Sequence, residues 1–454
     1  MTRLVRQPLK KILLIAYHFP PDAAVGALRP LKFAKYLPSY GWEPYVLTVS
    51  PRYYPSLDQS RLDEVPSLNR VFRTGMLPHP DTLYKKVKKS YYTATGRKQE
   101  FRQKLLEASA ETGLDSPSSN AVRRFLRSLL WIPPDDVLGW LPMAALTGIR
   151  LIRKHRITHI YTTNPPHTTH LVGLVIKAVC RVKWVADFRD VWLFPKPFQS
   201  RLAERAEQWM ERKVVEQADA ITLTTDWMRE KFHSAYPSVN GEKFTTIWNG
   251  YDAEDFRSIV AERTVTQFTV TYIGSFYDQR TPEHFLTAIS QLVARAKIPI
   301  ETIQVQLIGN CQQVKGRLTA DLAASLGLSS VVKVIDSVPY KRALEYAVNS
   351  HLLVLLAPDQ PFEIPGKAYE YMASGADILA LTDEGATADL ITKTETGIVV
   401  EPRDVERIGD AVLECYRKWA TGGDYERRRR RFDTTMYERQ ELTKRLVSIL
   451  ESVS

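Results

Sequence analysis

Cysteine is scarce in this chain: three in 454 residues, Cys180, Cys311 and Cys415, far apart and never in a C-x-x-C pair. That spacing argues against a disulfide framework, a zinc ribbon and a thiol redox motif, and fits a reducing, cytoplasmic setting. Long apolar runs are also missing. The longest, near residues 12–16 and 352–357, have the length of buried strands and fall far short of the roughly 18 residues that span a bilayer. The beginning, MTRLVRQPLKK, is basic but leads through a short apolar run into YHFPPD with no small-residue cleavage site, so no export signal is expected.

Glycine spacing excludes more. The 21 glycines include no pair two apart and no pair five apart, so both G-x-G-x-x-G and the Walker A loop are absent. A nicotinamide oxidoreductase and a P-loop nucleotide hydrolase are therefore not expected. No two aspartates are separated by a single residue, and no H-E-x-x-H occurs. The first pattern would hold a divalent ion on a diphosphate and the second a zinc ion. If the substrate carries a diphosphate, the chain must neutralise it with its own cations and helix ends, with no metal.

What is present is an ordinary globular balance, 44% hydrophobic and 25% charged, in a chain long enough for two cores. Lys plus Arg outnumber Asp plus Glu by 62 to 51, a net charge of +11. Such a surface attracts polyanions, anionic lipid or phosphorylated small molecules.

Two segments open alike. Residues 11–17 form a short aliphatic run, followed by a loop holding Gly26, a helical pattern and a second strand near 45–49. Residues 268–273 lead through Gly274 into a helix with Pro282 near its first turn. Further strand candidates are HIYTTN, KWVADF, AITLTT and TTIWN, then TIQVQLIG, VVKVID, HLLVLLA, DILAL and GIVV. Helical patterns separate most of them, which predicts two doubly wound parallel α/β domains. The expected division is 1–250, 265–420 and a helix in 421–454 that packs back across the junction. In such sheets ligands lie beyond the carboxyl ends of the strands, so the loops after 17, 163, 187, 273, 308 and 356 are the places to look.

Residues 51–135 interrupt the first domain. Between 81 and 130 there are eleven Lys or Arg against five Asp or Glu, beside Tyr84, Tyr91, Tyr92, Phe125, Leu126, Leu129 and Trp131. That composition suits a helix at an anionic membrane surface. It suits equally a solvated insertion packed on its own domain. The run Arg427 to Arg431 reads as a solvated helix face, and no pattern of aromatics among base-reading positions suggests nucleic acid.

The most informative stretch is PFEIPGKAYEYMASGADILAL. Pro365 and Gly366 stand where a helix begins directly after a strand, so free backbone N–H groups and the positive dipole end meet at the sheet edge, and an anion is expected there. Lys367 can reach the same anion. Glu370 shares its helix face and can accept hydrogen bonds from vicinal hydroxyls, and Glu363 can touch a sugar. In GSFYDQR, Gly274 allows close approach and Arg280 adds a second cation. In the first half Gly26 precedes a helix and is flanked by His18, Asp22 and Arg29. Asp187, Arg189 and Asp190 lie at a strand's carboxyl end, where they form either mutual ion pairs or a hydroxyl-binding site. Of Asn164, His167 and His170, His167 is the better cleft residue, because two histidines three apart without further ligands are weak metal binders.

Taken together, YHFPPDAAVGALRPLKFAKYL, PPDDVLGW, IYTTNPPHTTHLVGL, VADFRDVW, WNGYDAEDF, YIGSFYDQRTPEHFLTAI and IPGKAYEYMASGADILAL resemble the GT-B glycosyltransferases, specifically retaining family 4, the glycosyl transferases group 1. The resemblance covers nearly the whole chain. It implies two Rossmann-like domains facing a central cleft, the acceptor bound by the first and the nucleotide by the second. It implies metal-free transfer of a sugar from a nucleotide diphosphate sugar to a glycan or lipid-linked hydroxyl, as in cell-surface polysaccharide synthesis at the inner face of a plasma membrane. By matched motif, Glu370 looks like the ribose-holding second glutamate of E-x7-E, and Lys367 and Arg280 like the diphosphate clamp. The Gly26 loop resembles the family's N-terminal phosphate loop, and Gly274, Ser275, Pro365 and Gly366 complete the donor side. Asp22, His167, Asp187, Arg189 and Asp190 fall on the acceptor side.

The chain departs from the pattern twice. Six residues separate Glu363 from Glu370, so Phe362 stands where the first glutamate would be, and Ser275 stands near the usual arginine. Two other readings are open: a GT-B nucleotide-sugar epimerase, which would need no acceptor, and a catalytically silent GT-B protein that binds a glycan or partner.

Overall fold

A computed structural model describes residues 9–78, 134–193, 201–264, 266–277, 279–422 and 434–454. The chain divides into two compact units, Met1–Ala34, Gly41–Ile221 and Val453–Ser454 against Lys35–Tyr40 and Thr222–Ser452. Most of the insertion at 51–135 and the arginine run lie outside the described residues.

The first sheet contains β1 (Lys10–Ala16), β2 (Trp42–Val49), β3 (Val71–Thr74), β4 (His159–Thr163), β5 (Lys183–Phe188), β6 (Ala220–Leu223) and β7 (Phe244–Thr246), in the order β3-β2-β1-β4-β5-β6-β7. The helices in this part are α1 (Leu28–Tyr36), α2 (Leu141–His155), α3 (Thr168–Val179), α4 (Arg201–Gln217), α5 (Asp226–Ala235) and α6 (Ala253–Phe256). The aliphatic runs that suggested strands are buried almost throughout. In β1 the five residues from Ile12 to Ala16 are all buried, as expected of a parallel strand covered on both faces.

The second sheet contains β8 (Phe268–Ile273), β9 (Ile303–Ile308), β12 (Val332–Ile335), β13 (Leu352–Ala357), β14 (Asp377–Thr382) and β15 (Gly397–Val400). Its order is β12-β9-β8-β13-β14-β15, every neighbouring pair parallel. A hairpin of β10 (Gln313–Val314) and β11 (Arg317–Leu318) stands apart. Its helices are α7 (Glu283–Ala294), α8 (Thr319–Ser325), α9 (Tyr340–Val348), α10 (Lys367–Ser374), α11 (Ala386–Thr394), α12 (Val405–Ala420) and α13 (Arg439–Ser452). All twelve strand candidates form strands. The strands not anticipated are β3 and the hairpin, which are too short to show periodicity.

Strand order locates the chemistry. In the first sheet the winding direction reverses between β1 and β4, and in the second between β8 and β13. Loops leaving adjacent strands in opposite directions open a crevice at such a point. The loop after β1 carries His18, Asp22 and Gly26, and the loop after β4 carries Asn164 and His167. The loop after β8 carries Gly274 and Arg280, and the loop after β13 leads to Lys367.

A buried ion pair braces the first crevice. Arg29 on α1 donates from Nε and Nη2 to the two carboxylate oxygens of Asp187, at 3.0 and 2.7 Å, and Thr163 Oγ1 donates to Oδ2 at 2.7 Å. Both charged residues are almost fully buried. Removing one partner would leave the other charge stranded, at a cost of about 3–5 kcal/mol. Asp187→Ala is therefore expected to lower stability by that amount in urea unfolding, and a paired Arg29→Met/Asp187→Leu replacement to recover most of it.

Candidate functional site

In the second unit the site grows from two glycines. Gly274 follows β8 with φ +152° and donates to the Ile308 carbonyl at 2.8 Å, and Gly309 has φ +116°. A Cβ on Gly309 would fall 2.1 Å from the Gly274 oxygen, so the loops after β8 and β9 can touch only without side chains there. Cys311 adds a hydrogen bond from Sγ to the same oxygen at 3.3 Å. Burial pushes its thiol up to about 12, so it stays protonated and unreactive.

Into the space left by the Gly274 side chain comes Lys367. Its Nζ lies 2.8 Å from where a Gly274 Cβ would be, donates to the Ile273 carbonyl at 2.9 Å, and sits 4.0 Å from the centre of the Tyr272 ring. Pro365 and Gly366 precede it, with Gly366 as the cap of α10, as the sequence suggested. Burial, with the nearby Arg280 charge second, lowers the Lys367 ammonium to about 7. Arg280 donates to Gln360 Oε1 at 2.6 Å and lies 4.7 Å over the Tyr277 ring, while its Nε is buried without a partner. Neither cation makes an ion pair among the described residues. Two positive groups thus lie near one another by the amino end of α10 outside any ion pair, with the Glu370 charge only a small influence on Lys367.

Glu370, one turn along α10, accepts from Tyr340 Oη at 3.0 Å through Oε1. Burial raises its carboxyl to about 7 despite that bond. Phe362, at the position of the family's first glutamate, holds its carbonyl to Thr225 Oγ1 at 2.5 Å and its ring 4.1 Å from Lys231 Nζ. Glu363 lies in the same loop, its carbonyl accepting from Thr387 Oγ1 at 3.1 Å. Tyr272 Oη ties down the Ser275 carbonyl at 2.9 Å. A cavity of about 560 Å³ in this unit lies elsewhere, by the amino ends of β14 and β15, and holds none of them.

In the first unit the structure reassigns the acidic and basic residues. Asp187 pairs with Arg29, not with Arg189, and its carboxylate is enclosed. Arg189 is spent on backbone: it bonds the carbonyls of Asn164, of Pro165 at 2.9 Å and of Gly26 at 2.6 Å. A Cβ on Gly26 would come within 3.1 Å of Arg189 Nη1, so the glycine's role here is to admit that guanidinium. Burial raises the Asp190 carboxyl above its ordinary range.

Two histidines remain at the crevice with opposite polarity. His18 Nδ1 lies 2.6 Å from Asp22 Oδ2, and Asp22, 1% exposed, also accepts from the Ala24 N–H at 2.9 Å. The carboxylate fixes the Nδ1 proton, so neutral His18 presents Nε2 as an acceptor. Asn164 accepts the Arg189 N–H at Oδ1, 2.8 Å, so its amide donates to His167 Nδ1 at 2.9 Å. That leaves His167 with its proton on Nε2, in a ring stacked on Trp192 at 4.6 Å. Asp22 thus meets His18 directly, a contact between two of the residues flanking Gly26. His170 is absent from this group: it is buried in α3, 2.8 Å from Thr162 Oγ1.

Residues 28–250 match the family model described as a glycosyl transferase 4-like domain, and residues 267–418 match glycosyl transferases group 1. No curated protein matches the chain. Among solved structures, a glycosyltransferase from Rickettsia africae is 12% identical with a TM-score of 0.62, covering 98% of this chain and 99% of its own. A sucrose-phosphate synthase from Thermosynechococcus elongatus is 16% identical with a TM-score of 0.66, again over 98% and 99%. Anabaena HepE in complex with UDP is 14% identical with a TM-score of 0.60, over 97% and 100%. These likenesses place the fold as GT-B.

An anion at Lys367 would restore its ordinary affinity for a proton. Binding of a nucleoside diphosphate near pH 8 should then take up a proton, and affinity should fall as pH rises from about 7 to 9. Calorimetry in buffers of different ionisation enthalpy reads this directly. Lys367→Met should abolish the uptake, which separates Lys367 from Glu370, titrating over the same range.

Proposed function

Because the chain belongs to the group 1 glycosyltransferases of the GT-B fold, we propose that it moves a sugar from a nucleotide diphosphate sugar to a hydroxyl of a glycan or lipid-linked acceptor. Transfer retains anomeric configuration, uses no metal, and serves cell-surface polysaccharide synthesis. The observation that carries this reading is the pair of cations, Lys367 and Arg280, at the amino end of α10 without a counter-charge. A diphosphate supplies that charge, and the absence of any D-x-D pattern leaves its neutralisation to these side chains and to the backbone N–H groups of Gly366, Lys367 and Ser275.

The mechanism follows from where charge grows. As the glycosidic bond breaks, negative charge builds on the departing diphosphate, and groups already oriented toward it lower the barrier. Lys367 and Arg280 serve that role. The leaving phosphate oxygen takes the acceptor's proton on the same face, so no protein nucleophile is required. Glu370 receives the ribose hydroxyls, and Glu363 meets the sugar. On the acceptor side, His18, oriented by Asp22, accepts a hydrogen bond from a hydroxyl. His167 donates one, and Asp190 borders them. Asp187 and Arg189 hold these loops in place.

The basic segment at 51–135 would set the enzyme against an anionic membrane from the cytoplasmic side. No helix among the described residues is long and apolar enough to cross one.

The test is calorimetric binding of UDP, GDP, ADP and CMP, without metal, to the wild type, Lys367→Ala and Arg280→Ala. One nucleotide should bind. Loss of a charge-assisted contact worth about 1.5–3 kcal/mol should weaken it roughly 10- to 100-fold in each variant. Binding to none of the four, or binding indifferent to both substitutions, would remove the donor assignment.

A further inference from the structure

We propose that Tyr340 is a positioning residue of the nucleotide site: its hydroxyl holds one oxygen of Glu370, so that the other meets the ribose as part of an ionised carboxylate. The inference rests on the reading of Glu370 as the ribose acceptor and goes beyond it to the residue on which that acceptor depends.

Tyr340 is the first residue of α9, directly after Pro339, and its ring packs against a buried cluster that includes Leu344, Tyr369 and Tyr371. Helices α9 and α10 pack against each other. The Tyr340 hydroxyl is thereby brought 3.0 Å from Glu370 Oε1 and 3.5 Å from Asp255 Oδ2. A phenol has one proton, and the nearer carboxylate receives it. Burial, with the Glu370 and Asp255 charges next, pushes the hydroxyl well above its ordinary value, so it keeps that proton and acts toward Glu370 as a donor. Oε2 of Glu370 has no hydrogen-bond partner among the described residues, and the side chain is half-buried, so this oxygen is open to a ligand. One oxygen is fixed and the other is offered.

The same bond governs charge. Burial raises the Glu370 carboxyl; the Tyr340 bond is the largest influence lowering it, ahead of Arg439 on α13, while Asp255 on α6 raises it and Lys367 on α10 lowers it slightly. The balance falls at about 7, so near neutrality Glu370 is only partly ionised. Without the Tyr340 hydroxyl the neutral acid would prevail there. A carboxylate accepts a charge-assisted bond from a ribose hydroxyl, roughly twice as strong as the bond a neutral acid makes. Asp255 acts in the opposite sense to Tyr340, so removing its charge should favour the carboxylate.

The readout is ribose discrimination, the ratio of affinities for a ribonucleotide and its deoxy counterpart. Lys367 and Arg280 bear on both nucleotides alike, so their own titration cancels in the ratio. Calorimetry would use UDP, GDP, ADP and CMP with their 2′- and 3′-deoxy counterparts, from about pH 6 to 9. For the nucleotide that binds, the wild type should prefer the ribose form at least about tenfold at high pH, with the preference falling as pH drops through about 7. Glu370→Gln should lose the preference at every pH. Tyr340→Phe should move its fall to higher pH, reducing it severalfold near neutrality, and Asp255→Asn should move the fall to lower pH. Tyr340→Phe should keep wild-type thermal unfolding and wild-type affinity for inorganic pyrophosphate, which has no ribose. A Tyr340→Phe profile that superimposes on the wild type, while Glu370→Gln abolishes the preference, would overturn the role of Tyr340 and leave the ribose assignment standing. A preference indifferent to Glu370→Gln, or binding of no nucleotide, would remove the ribose assignment and the inference with it.

Discussion

An ammonium held outside any ion pair is the constraint on which the second unit is built. Lys367 sits on backbone carbonyl and aromatic ring, in space that exists only because residue 274 has no side chain. Desolvation and the neighbouring Arg280 both work against its charge. A protein selected for stability alone would place a carboxylate there or shorten the lysine. Holding two cations unpaired at a helix amino end stores an electrostatic deficit that an anionic ligand relieves, and it places the relief where a diphosphate gains charge during transfer.

The first unit meets its electrostatic demands differently. Its strongest charges are satisfied internally: Arg29 closes on Asp187 and Arg189 on three carbonyls. With those loops fixed, the groups left at the crevice include two imidazoles, His18 held through Nδ1 by Asp22 and His167 through Nδ1 by Asn164. Such groups suit neutral hydroxyls, whereas the cations of the second unit suit a phosphate. The division of chemistry between the units follows from where the charges are paired.

Much of this was legible in the sequence because it is local. Aliphatic runs of strand length gave all the main strands, and proline, glycine and lysine at 365–367 marked a helix amino end beside a sheet edge. The rest depended on contacts over long separations. Asp187 and Arg189 are neighbours in sequence and look like partners, yet Asp187 takes Arg29, 158 residues away, and no local pattern could reveal that. Gly26 accepts at its carbonyl from Arg189, 163 residues away, another contact that no local pattern could reveal. The contact of His18 with Asp22, four residues on, is not readable locally because the burial of Asp22 is a tertiary fact.

The central claim is that side chains, not a metal ion, neutralise the donor's diphosphate. Phosphorus NMR of a bound nucleoside diphosphate in the presence of a chelator tests it most directly. The account predicts that the β-phosphorus resonance shifts on binding, that added magnesium leaves it there, and that the shift disappears in Lys367→Ala. A shift that appears only with magnesium, or one that survives the loss of Lys367, would contradict it.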